Sequence, residues 1–131
     1  MTMPYNAGNM AHHRYRGTIQ GLLDSLPTIG DPLVVRAYRH MGLQEALMVH
    51  GTAGSGRCDD VEWGYSGERT QPVVELLVGL GIHTERAEHI VFNSTRHKEP
   101  GVDWIVNFLP SNRLSVLSRE QINLRAIANR N

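Results

Sequence analysis

Apolar positions along this chain change period several times, and the changes divide it into elements. Ile19, Leu22, Leu23 and Leu26 fall at i, i+3, i+4 and i+7, one face of a helix that Pro27 stops. Residues 31–50 carry two apolar runs, Leu33-Val34-Val35 and Ala46-Leu47-Met48-Val49, on either side of Gly42. The β-branched pair Val34-Val35 favours two strands joined near Gly42 over a helix opened at Asp31-Pro32. Residues 50–67 show no period and are punctuated by Gly51, Gly54, Gly56, Gly64 and Gly67, which predicts a long loop of the kind that carries function.

Pro72 suits the first turn of a second helix, with Val73, Leu76, Leu77 and Leu80 on its apolar face and Gly81 closing it. The run His-Ile-Val-Phe-Asn at 89–93 has the length of a buried strand, and a polar loop follows at 94–100. Val102, Ile105, Val106 and Leu109 recur at helical spacing until Pro110, predicting a third helix. Leu114 and Val116 alternate with polar Ser115, a strand signal over 113–117. Ser118-x-x-Gln121 is a capping box that opens the last helix, which contains Ile122 and Ile127.

Residues 1–16 have no period and read as a flexible N-terminal arm, leaving 17–131 as a single α/β domain. The alternation of elements implies a central mixed sheet of about four strands with crossover helices. A chain of 131 residues is long enough for one core, and its 40% hydrophobic and 20% charged content is that of a folded domain.

Charge narrows the partners. Thirteen basic residues, all arginine except Lys98, balance thirteen acidic ones, so no global field draws the chain to nucleic acid or to an acidic membrane. Nucleic acid is therefore an unlikely partner on composition. The lone Cys58 excludes an internal disulfide and a zinc site built on paired thiolates, and it fits a reducing compartment. The longest apolar run, 102–109, is interrupted by Asp103 and Asn107 and is too short to span a membrane, and the first residues lack a secretory apolar stretch. The expected location is cytoplasmic.

Ser66-Gly67-Glu68-Arg69 is similar to the His-Ser-Glu-Arg form of bacterial toxin-type deaminases, and Glu99-Pro100-Gly101-Val102-Asp103-Trp104 to their Glu-Pro-Cys-x-x-Cys. Over residues 60–117 the chain resembles the cytidine-deaminase-like superfamily. The resemblance implies a three-layer arrangement, one helix bearing Glu68 as proton shuttle and another bearing 100–104. Ser66, Gly101 and Trp104 stand where that family has its three zinc ligands, and none of them binds zinc. What is implied is a divergent, zinc-free relative with no metal and no cofactor, acting on a small polar or nucleoside-like molecule. The Trp104 indole would fill the volume of the missing metal.

The candidate catalytic residues are Glu68, Cys58 and His50. Glu68 is a general acid/base if apolar neighbours raise its pKa, or a carboxylate stabilising a helix N-terminus. Cys58 is a thiolate activated beside Arg57 and paired with His50, or a buried inert thiol. Arg57, Asp60, Trp104 and His97 are the candidate ligand-binding residues; Asp59, Asp60 and Glu62 with His50 form an oxygen and imidazole set for a divalent ion, or a solvated acidic loop. The glycines of 51–56 can present backbone amides to an anion, and Arg96-His97-Lys98 can meet a carboxylate or phosphate. Two functions lead: an enzyme in which Glu68, Cys58 and His50 converge, or a non-catalytic partner subunit or ligand-binding regulator; a third, a nucleic-acid binder resting on His12-His13-Arg14-Tyr15-Arg16 alone, ranks last because the net charge is zero. Val73, Val74, Leu77 and Val78 cover more of one helix than a single core contact needs, which points to a homo- or hetero-oligomer.

Overall fold

Thr18 caps the first helix by accepting the Gly21 N–H, and Ile19 and Leu22 bury its apolar face. This helix, α1 (Ile19–Ser25), is preceded by strand β1 (His13–Gly17) and followed by a short 3₁₀ turn (Leu26–Thr28). The computed structural model describes residues 13–42, 44–108 and 114–130, the last six of these by backbone alone. Three strands come next, β2 (Pro32–Arg39), β3 (Glu45–Gly51) and β4 (Gly54–Cys58). Helices α2 (Gln71–Gly79) and α3 (Thr84–Asn93) then lead to strands β5 (Gly101–Phe108) and β6 (Leu114–Ser118), and α4 (Arg119–Arg130) completes the described chain.

The six strands form one mixed sheet in the order β1-β4-β3-β2-β5-β6. Only β1 and β4 are parallel; the other pairs are antiparallel. The register sorts every side chain by face. Tyr15, Gly56, Val49, Val35, Val106 and Val116 make one transverse row, and Gly17, Cys58, Leu47, Ala37, Trp104 and Ser118 the next. These rows meet Ile19 and Leu22 of α1, Val73, Val74, Leu76 and Leu77 of α2, and Ala87, Ile90 and Val91 of α3 in a single core. The opposite face carries the rows Arg14, Ser55, His50, Val34, Asn107, Ser115 and Arg16, Arg57, Met48, Arg36, Ile105, Leu117.

The class is thus α/β with a mixed sheet, and several expectations are corrected. The sheet has six strands rather than about four, and α1, α2 and α3 share one face rather than forming the outer layers of a three-layer stack. Residues 13–16, expected in the arm, are strand β1; residues 1–12 of that arm lie outside the described residues. The supposed loop at 50–67 contains β4, whose glycines are packing devices. A Cβ on Gly54 would lie 2.4 Å from the His13 carbonyl oxygen, and one on Gly56 would lie 2.2 Å from Cδ1 of Leu22.

Two elements exchange type. The run at 89–93 is the end of α3, because Ala87, Ile90 and Val91 face the core together and His83 caps the helix through the Glu85 N–H. The helix expected over 102–109 is β5, and Leu109 lies outside the described residues. In the pairing with β2, Ala37 faces Trp104 whereas Tyr38 faces Val102, so Asp103 is an extra residue in a β-bulge. The bulge puts Val102 and Ile105, three apart, on the same face, which imitates helical spacing. The hairpin over 31–50 and the capping box are as expected: Ser118 and Gln121 exchange hydrogen bonds of 2.8 and 3.3 Å.

Candidate functional site

A β-bulge turns two successive side chains inward, and here they are Asp103 and Trp104. Both residues are 2% exposed and both touch Trp63. The Trp63 Nε1–H donates to Asp103 Oδ2 at 2.8 Å, and the two indoles meet edge to face at 5.9 Å.

Asp103 is the centre of a charged network drawn from distant segments. Its Oδ2 also accepts from Arg39 Nε at 3.1 Å, and its Oδ1 from Arg119 Nη2 and His97 Nδ1, each at 2.9 Å. Four donors thus meet one carboxylate, two on each oxygen, which matches its accepting capacity. Arg39 reaches on to Glu45 at 3.4 Å and lies 5.8 Å from the Trp63 ring centroid, and Glu45 in turn accepts from Arg96. Arg119 also donates to the carbonyls of Val102 and Glu99, clasping a backbone that turns at Gly101 with φ +130°. The second nitrogen of His97, Nε2, lies 2.9 Å from Glu120 Oε1. A doubly protonated ring donates to both carboxylates, and a singly protonated ring to one.

Beside this network lies a pocket of about 330 Å³, at the small end of the range for ligand sites. One wall is α3, with Arg86, His89, Ile90 and Asn93. Trp104 of β5 and Val116 and Ser118 of β6 line it from the sheet, with His97 and Gln121 of α4 also in the lining. Asp103 lines it too, but with its donors already placed. The indole Nε1–H of Trp104 has no hydrogen-bond partner among the described residues, although it is buried. An unmatched buried donor is costly, and the residue that carries it is also part of the pocket wall.

Of the residues expected from sequence, Trp104 and His97 line this pocket; Glu68, Cys58, His50, Arg57 and Asp60 do not. Glu68 is exposed in a turn that Thr70 closes through two hydrogen bonds with Gly67, ahead of α2. Cys58 points into the core and His50 stands on the opposite sheet face, so the expected thiolate and base are separated by the sheet. Burial, reinforced by Asp60 and Asp59, pushes the Cys58 thiol up to about 12, which leaves it protonated and inert at neutral pH.

Arg57 pairs with Asp59 at 3.1 Å, touches His40 Nε2 and lies over Tyr38. Asp60 accepts the Ile19 N–H at 2.8 Å and so anchors the start of α1. Glu62 is engaged by Arg69 and by the Tyr65 hydroxyl, and the acidic residues of this segment do not gather as a metal site among the described residues. The segments similar to deaminase motifs are a turn at 66–69 and strand β5 from 101, where helices were implied. The apolar surplus on α2 is absorbed internally: Val73, Val74 and Leu77 are buried, and Val78 is 39% exposed.

Sequence reasoning passed over Asp103, Arg39, Arg119 and Glu120. The one local signal was a carboxylate inside a strand-length apolar run, directly before a tryptophan. Compared with known proteins, the chain matches no family model, no curated protein and no solved structure.

Proposed function

We infer that the pocket between α3 and the β5–β6 end of the sheet binds a small molecule with an apolar body and a hydrogen-bond acceptor, a carboxylate or carbonyl. The observation that carries this reading is that Trp104, whose buried Nε1–H has no partner among the described residues, is part of the pocket wall. The exposed Arg86 on the α3 wall supplies positive charge for an anionic group. Ile90, Val116 and the indole face supply apolar surface. This keeps the small polar or nucleoside-like ligand suggested by the deaminase-like resemblance, and the role of ligand-binding regulator. It moves the site away from Glu68, Cys58 and His50.

A second reading, catalysis, is favoured by His97. Its ring lines the pocket and is backed by the Asp103 carboxylate, an arrangement that orients an imidazole for proton transfer. Glu120 covers the other ring nitrogen, so a ligand that displaced Glu120 would meet that nitrogen, a donor in the doubly protonated ring.

Nitrogen-15 NMR of the two tryptophan side chains tests the binding reading. Small carboxylates, nucleobases and nucleosides titrated into the protein are expected to shift the indole N–H signal that Trp104→Phe removes. A panel that shifts neither indole signal, or only that of Trp63, counts against it. Turnover of a binder, lost in His97→Gln with binding retained, would select the catalytic reading.

A further inference from the structure

Net neutrality hides a segregation of charge that the sheet register exposes. Arg14, Arg16 and Arg36 are exposed, stand on the sheet face opposite α1, α2 and α3, and make no ion pair among the described residues. Arg57 stands between Arg16 and Arg36 in one row, half-held by Asp59. No acidic residue belongs to either transverse row of this face, whereas Arg39, Arg96 and Arg119 are paired with carboxylates elsewhere. We propose that this face binds single-stranded nucleic acid along its arginines.

Geometry favours a phosphate chain. Arg14 and Arg16 are two residues apart on β1, about 6.6 Å at the rise of a strand, close to the spacing of phosphates in an extended single strand. Arg16 and Arg36 are three strands apart, about 14 Å across the sheet. Guanidinium groups recognise phosphate through paired donors, and a positive track along a sheet is a common way of holding a single strand without reading its sequence. A duplex would be read by an element entering a groove, and these rows are flat strand surface. A membrane surface would want well-exposed apolar side chains for insertion; Val34, Met48, Ile105 and Leu117 of these rows are half-buried, and the exposed large hydrophobics Leu33, Met41, Val78 and Leu124 lie outside them.

The test is fluorescence anisotropy of labelled oligo-dT and oligo-rU with the full chain over a range of salt. Three phosphate contacts give a slope of log K against log salt of about −2. The triple variant Arg14→Gln/Arg16→Gln/Arg36→Gln is expected to bring the slope near zero and to weaken low-salt binding by about tenfold or more. Each single variant takes about 0.7 from the slope, which decides the matter if the triple variant does not fold. Absence of saturable binding at low salt, or a slope unchanged in the variants, overturns the proposal. So does a preference for duplex DNA, or for phosphatidylserine vesicles, over the oligonucleotides. The pocket's indole signals are read in the same samples, so failure of either reading is visible without the other.

Discussion

Nε2 of His97 faces Oε1 of Glu120 at 2.9 Å while Nδ1 of the same ring rests on Asp103, so one imidazole joins a buried carboxylate to the exposed first turn of α4. The hydrogen bond from His97, helped by the backbone N–H of Glu120 itself, holds the Glu120 carboxyl below its ordinary value of 4.5. A depressed carboxylate contributes to stability above its ordinary value and loses that contribution as the pH falls through its folded value. Acidification below about pH 4.5 is therefore expected to release the first turn of α4, seen as faster amide exchange there. In Glu120→Gln this part of the pH dependence should vanish; if it persists, another group sets it.

Among the site residues, Asp103 is expected to matter most for stability. Asp103→Ala leaves Arg39, 7% exposed, and Arg119 without their shared carboxylate, and also strips the Trp63 indole of its acceptor. Breaking a buried ion pair from one side costs about 3–5 kcal/mol. Urea denaturation should show a loss of that size, and a loss below about 1 kcal/mol would mean that water replaces the carboxylate.

Cys58 should behave as a core side chain. Its thiol, pushed up to about 12, is expected to ignore a thiol-specific disulfide reagent at pH 8 in the native protein and to react at once when unfolded. A raised value means the contribution to stability is complete below the ordinary 9.0 and is lost as the pH climbs toward 12. Rapid native labelling would place the thiol at the surface instead.

Trp104→Phe keeps most of the buried volume and removes one donor. Affinity for a pocket ligand is expected to fall by about fivefold, the worth of one neutral hydrogen bond, with little loss of stability. Glu68→Gln, on an exposed turn, should leave that affinity unchanged. The reverse outcome would restore Glu68 as the functional carboxylate.

Helices α1 and α2, the β2–β3 hairpin and the cap of α4 were legible because each is decided by local spacing and local breakers. β4 was not, since Gly54 and Gly56 read as loop until the atoms packed against them are known. β5 was misread because the extra residue at Asp103 erases the alternation that would mark a strand. The site was half visible. Trp104 and His97 stand out as an aromatic and an imidazole near each other in the chain, whereas the donors to Asp103 come from β2, the segment before α2, the loop after α3 and the start of α4. No spacing rule joins positions so far apart.

Apart from β1, which joins β4 at one edge, the sheet consists of two sets of strands that are each local in sequence. β2, β3 and β4 follow one another through short connections, and β5 and β6 form a hairpin, but β2 meets β5 only across everything between Arg39 and Gly101. Pairings close in sequence need little loop-closure entropy; this central one needs a long connection to close, and it is the slower kind to form. The contact of Arg39 with Asp103 lies on that seam. The segment carrying α2 and α3 therefore acts as a tether that sets the effective concentration of one unit for the other. The β2–β5 pairing is thus the seam across which the two halves of the sheet are joined.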